Sequence, residues 1–126
     1  MAQNPHRVVF LNLAQIGMPV GALTSILHRI SGVLLALAIP VVAWLLARSL
    51  QGVEGYAEVA AWLGRPVVKL AAMLWVWALA HHLLAGIRHM LTDIDIGSRL
   101  RSARRSAWTV NVAGVIVALL AAGALW

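Results

Sequence analysis

The sequence predicts an all-α membrane protein with three transmembrane helices, and three observations carry that prediction. Its 126 residues are 62% hydrophobic and only 11% charged. Three apolar stretches are each long enough to cross a bilayer, which takes about 20 residues. The basic residues gather at the edges of those stretches. A mean hydropathy of +0.87 implies more apolar surface than so short a soluble chain can bury, so the bilayer is the solvent. The length suits one transmembrane anchor domain, 1–126. The absence of cysteine excludes disulfides, thiolate metal sites and self-contained iron–sulfur clusters.

The first stretch, MAQNPHRVVFLNLAQIGMP, lacks a charged segment followed by a compact apolar core and a small-residue cleavage site. It is also not the Arg- and Ser-rich helix of a transit peptide, and the chain reads as mature and bacterial. The first span covers about 22–50, with an uninterrupted apolar centre from Val33 to Ala47 and an expected kink at Pro40. A loop near Gln51–Arg65 follows. The second span covers about 66–91, with Pro66 at the position a helix prefers for its first residue. The third covers about 107–126. Its Trp108 and Trp126 lie about 27 Å apart along a helix, close to the hydrocarbon thickness, as interfacial anchors do.

The net charge of +6 would point to nucleic acid on a soluble protein. Here the arginines flank apolar spans and contact lipid headgroups, so they report topology. Arg7, Arg29, Arg88, Arg99, Arg101, Arg104 and Arg105 fall on one side of the membrane, and Arg48, Arg65 and Lys69 on the other. The positive-inside rule then puts the N-terminus in the cytoplasm and the C-terminus in the periplasm of a bacterial inner membrane.

Two polar clusters interrupt the apolar spans. In LAHHLLAGIRHM, wound as a helix, His82, Gly86, His89 and Asp93 form one narrow stripe. His81 and Arg88 form a second stripe about a quarter-turn away. Small Gly86 lets a flat group or another helix approach the backbone. In the first span, Ser25, His28, Arg29 and Gly32 share one helix face. Both clusters lie towards the cytoplasmic side, where they can form one site. Imidazole ligates iron, arginine binds carboxylates or polarises carbonyls, and a hydroxyl hydrogen-bonds a neutral polar ligand. Each residue also has a plainer structural reading. The histidines can be hydrogen-bonded packing residues, Arg88 and His89 can snorkel to the headgroups, and Ser25 can bond back to its own helix. Arg99–Arg105 can serve topology and lipid contact alone, and Asn111 an interhelical hydrogen bond.

Ser25-Ile-Leu-His28-Arg29-Ile-Ser31-Gly32 and His82-Leu-Leu-Ala-Gly86-Ile-Arg88-His89 resemble the two motifs of a known family. This is the cytochrome b556 membrane-anchor subunit of succinate dehydrogenase, the larger anchor chain of respiratory complex II. Order, spacing, length and span count agree along nearly the whole chain. Arg7 followed by Val8, where the family often has Arg-Pro, Thr92 in place of an aromatic residue or Met, and Asp95 in place of a small residue depart from the pattern.

The resemblance implies half of a haem-binding helical bundle, completed by a partner subunit. His82 corresponds to the axial ligand of a shared b-type haem, and Ser25 and Arg29 to the ubiquinone-site pair. His28, Arg29 and His89 correspond to residues near the haem propionates. His81 does not align with the ligand position and is expected to be a bystander. The implied partners are a second small anchor subunit, an iron–sulfur subunit and a flavoprotein subunit. The chain would then serve a succinate:quinone oxidoreductase without activity of its own. A quinol:fumarate reductase anchor running the reverse reaction and a haem-free structural anchor share these features. A small transporter subunit would place polar residues in both leaflets, and the outer half here has almost none.

Overall fold

The computed structural model describes residues 17–126. The readings on the N-terminal stretch, including the absence of a leader and Arg7 with its neighbour Val8, lie outside the described residues. Four helices follow in order: α1 (Val20–Ser49), α2 (Val53–Leu63), α3 (Pro66–Asp93) and α4 (Leu100–Leu125). Helices α1, α3 and α4 are long and apolar enough to cross a membrane, and no strand occurs among the described residues.

The chain runs up, down and up. Helix α3 packs on both α1 and α4, and α1 also touches α4. At one end, Arg88 near the end of α3 reaches Ser106 and Ala103 in the early turns of α4. At the other, Lys69 in the first turn of α3 donates to the Leu125 carbonyl at 2.5 Å and lies 5.3 Å from the Trp126 ring centroid. A cation at the C-terminal end of a helix satisfies a free carbonyl and complements the helix dipole.

The helices pack through small residues. Ala78, Ala85, Ala107, Thr24 and Ser31 are buried, and Gly114 joins them. Leucines and isoleucines such as Leu37, Ile39, Leu83 and Leu119 point outward. Lipid tails are as apolar as leucine, so burying leucine between membrane helices gains little. Small residues instead let backbones approach and make van der Waals contact.

Two segments differ from the sequence reading. The loop near Gln51–Arg65 contains α2, an 11-residue helix too short to register as a span. It starts after Gly52, whose φ of 114° ends the preceding turn, and its Gly55 packs against the Arg48 carbonyl. Helix α4 begins at Leu100, seven residues before the expected 107. The intervening LRSARRS is too polar for a span, but arginine and alanine are strong helix formers. Pro40 lies inside the continuous helix α1, where its missing N–H deprives the Ala36 carbonyl of its helical partner.

The connection from α3 to α4 is a tight helix stop. Ile96 N–H donates to the Leu91 carbonyl at 2.9 Å and Asp95 N–H to the Thr92 carbonyl at 3.1 Å. Asp95 itself is left-handed, with φ 62°. Those two bonds around a left-handed residue are a Schellman motif, normally built on glycine.

Candidate functional site

The two stripes of α3 face two different helices. His82, Gly86 and His89 face α1. The His28 and His82 rings stack with centroids 4.2 Å apart and planes at 20°, and His28 meets His89 at 5.2 Å in a tilted arrangement. A glycine on each helix makes room for the other's histidine. A Cβ on Gly32 would lie 2.9 Å from His82 Cε1, and one on Gly86 would lie 3.5 Å from His28 Nε2. Gly86 therefore does admit a flat group, and that group is the His28 ring.

The hydrogen bonds of His82 define its chemistry. Its Nδ1 lies 3.0 Å from the His28 carbonyl oxygen and 3.3 Å from Ser31 Oγ. The Ser31 hydroxyl donates to the same carbonyl at 2.8 Å. A carbonyl only accepts, so Nδ1 carries the proton and Nε2 of the neutral ring keeps its lone pair. A histidine that ligates a metal is held in the same way, with its other nitrogen bonded to a backbone carbonyl. The ring is half-buried, not sealed. Among the described residues no three His, Asp or Glu side chains gather with metal-chelating geometry. His28 stacks on His82 and meets His89 at a tilt, so the three rings pack against one another and do not converge on one point.

The second stripe faces α4. His81 is completely buried, with Nε2 3.1 Å from Asn111 Oδ1. Thr24 Oγ1 of α1 lies 3.2 Å from the same oxygen. Asn111 thus makes the interhelical bond expected of it, and His81, expected to be a bystander, is a core residue of the bundle. Arg88 does not simply snorkel. Its Nε donates to Ser106 Oγ at 3.1 Å and its Nη2 to the Ala103 carbonyl at 3.2 Å.

Ser25 and Arg29 stand one turn apart on α1, on either side of His28 in sequence. The structure brings neither against α3 by a hydrogen bond among the described residues. Arg29 is exposed and borders a shallow apolar groove with Ile30, Val33 and Leu34. Thr24, Ser31 and Ser49 all bond back to carbonyls of α1, whereas Ser25 makes no hydrogen bond among the described residues. The sequence pattern alone gives Ser31 no role, although its position three residues after His28 places it on the same helix face.

Residues 3–122 match the family model described as succinate dehydrogenase/fumarate reductase transmembrane subunit. A succinate dehydrogenase cytochrome b556 subunit from Coxiella burnetii is 36% identical over 124 residues, covering 98% of this chain and 99% of the relative. One from Paracoccus denitrificans is 33% identical over 121 residues, covering 93% and 85%. One from Rickettsia typhi is 30% identical over 96 residues, covering 76% and 74%.

Proposed function

Because the chain belongs to the succinate dehydrogenase/fumarate reductase transmembrane subunit family, we propose that it is the cytochrome b556 anchor of a succinate dehydrogenase. In this reading it holds haem b together with a second small anchor subunit and forms part of the ubiquinone-reduction site. The observation that carries it is the state of His82: Nδ1 is committed to a backbone carbonyl at 3.0 Å, and the lone pair of Nε2 remains for iron. The glycine cradle at Gly32 holds the ring flat in that orientation, so the residues present fit the group.

His82 would hold the haem iron through Nε2, and a residue of the partner anchor would complete its coordination. His28 and His89, beside it, would be polar contacts for the propionates, and Arg29 would serve them as well. When bound, haem b supplies a one-electron redox centre. Ser25 donates its hydroxyl to a quinone carbonyl, and Arg29 stabilises the negative charge that develops on that oxygen during reduction. Arginine suits this role because its planar donor fork stays charged. Electrons reach the site from succinate through the flavoprotein and iron–sulfur subunits, which dock on the cytoplasmic face, and protons enter from the same edge. The Arg99–Arg105 cluster marks that face of the inner membrane.

The test is made on the assembled complex. His82→Ala is expected to abolish the b-type absorbance, and an intact spectrum overturns the ligand assignment. Ser25→Ala and Arg29→Leu are expected to impair ubiquinone reduction while sparing succinate oxidation by an artificial soluble acceptor. Equal loss of both activities counts against the quinone role.

A further inference from the structure

The largest fully buried side chain among the described residues is His81, in a core made mostly of small residues, with Val110 the larger apolar one on α4. It is joined through Asn111 to Thr24: the Asn111 Oδ1 on α4 lies 3.1 Å from His81 Nε2 of α3 and 3.2 Å from Thr24 Oγ1 of α1, whose single proton is shared with the Val20 carbonyl at 2.9 Å. The Nδ1 atom of His81 is buried without a partner. A bare ring N–H is costlier in an apolar interior than a bare lone pair, which puts the proton on Nε2, donating to Asn111. Gly114 lets α4 close over this point: a Cβ there would lie 3.3 Å from His81 Cβ and 3.4 Å from Trp77 Nε1. The His81 and Trp77 rings lie 5.3 Å apart. The contact is thus closed from both neighbouring helices.

His81 and His82 are consecutive, and α3 is a rigid helix through both. Whatever fixes the rotation of α3 at His81 fixes the direction of His82. A ring nitrogen lies well outside the Cα cylinder, so rotating α3 by about 10° displaces it by about 1 Å. Functional groups work within about 0.5 Å of their productive position. The contacts of His82 with the His28 carbonyl and Ser31 set the ring from the α1 side only. The buried triad sets it from the α4 side.

We propose that His81, Asn111 and Thr24 form a positioning network that orients His82 towards its prosthetic group. The proposal rests on His82 being the haem ligand, and it assigns a role to the histidine that does not touch the haem. Three variants test it in the purified complex: Asn111→Leu, His81→Phe, and His81→Gln, whose amide N–H can replace the Nε2 donor. The readouts are haem content, the electron paramagnetic resonance signal of the oxidised haem, and its midpoint potential. Asn111→Leu and His81→Phe are expected to keep the haem and succinate oxidation by a soluble acceptor. Their resonance signal is expected to broaden or shift, and the midpoint potential to move with it. His81→Gln is expected to restore both towards wild type. Unchanged signals in Asn111→Leu and His81→Phe overturn the proposal, as does failure of His81→Gln to restore them. Poor assembly with an unaltered signal in the surviving complex marks a purely structural contact and overturns it too. A wild-type complex without haem defeats the ligand reading itself, which separates the two failures.

Discussion

Gly32 and His82 meet across α1 and α3 with no space for a side chain between them: a Cβ on Gly32 would lie 2.9 Å from His82 Cε1. The imidazole cannot yield easily, because it is stacked on His28 at 4.2 Å and bonded to the His28 carbonyl. Gly32→Ala therefore has to push the helices apart or turn the ring. The reciprocal position is more forgiving, since a Cβ on Gly86 would rest 3.5 Å from His28 Nε2, an ordinary contact. Gly32→Ala is expected to lower haem content in the assembled complex severely, and Gly86→Ala to leave most of it. Pyridine haemochrome assays on the two purified variants check this; equal haem content would contradict the close approach.

Arg88 joins α3 to α4 by two donors, to Ser106 Oγ at 3.1 Å and the Ala103 carbonyl at 3.2 Å. Hydrogen bonds from a charged group contribute about 1.5–3 kcal/mol each where they are well shielded, and less near a helix end. Arg88→Leu is expected to destabilise the bundle by about 1–3 kcal/mol. Arg88→Lys recovers only part of this, because one ammonium does not reproduce the planar fork. Thermal unfolding of the purified complex in detergent measures both, and full recovery with lysine would show that charge alone matters.

Much of this arrangement was legible in the residues, and the rest failed for identifiable reasons. Helical periodicity alone separates His82–Gly86–His89 from His81–Arg88. It does not say that the first stripe meets α1 and the second α4, because that depends on how three helices are placed around one another. Hydropathy finds α1, α3 and the apolar part of α4, but it misses α2 and the arginine-rich first turns of α4. Those segments are helical by propensity and packing, and too short or too polar to resemble a span. His81 falls off the ligand stripe, so helical periodicity gives it no part in the site. Its partners Asn111 and Thr24 are 30 residues ahead of it and on the first helix, a distance over which no local pattern carries information. Ser25 and Arg29 stay outside the histidine cluster, Arg29 exposed and Ser25 half-buried on α1.

Asp95 occupies a backbone position that glycine fills more easily. At φ 62° a Cβ crowds the backbone, although aspartate tolerates this better than most residues. The Schellman bonds at 2.9 and 3.1 Å require that conformation. Asp95→Gly is expected to be neutral or stabilising by up to about 1 kcal/mol, as the relief of a left-handed non-glycine residue offsets the added chain entropy. Asp95→Val, β-branched, is expected to destabilise by about 1–2 kcal/mol. The same detergent unfolding assay ranks the three chains, and a valine variant as stable as wild type would rule out the motif.

The two ends of the bundle differ in charge, and the lack of cysteine in the sequence makes their orientation directly measurable. Tyr56 on α2 is 67% exposed, and the same helix carries Glu58, whose exposed ion pair with Arg48 at 2.5 Å is worth no more than about 1 kcal/mol. Ser98 lies in the opposite connection, next to the Arg99–Arg105 cluster. Positive charge is retained on the cytoplasmic side, so Tyr56→Cys should react with a membrane-impermeant maleimide in cells with a permeabilised outer membrane. Ser98→Cys should react only in inverted vesicles. Because α1, α3 and α4 run up, down and up, the two labels must fall on opposite sides, whichever way the chain is inserted. Reversed labelling would overturn the orientation alone, whereas labelling of both sites from one side would overturn the three-span arrangement itself.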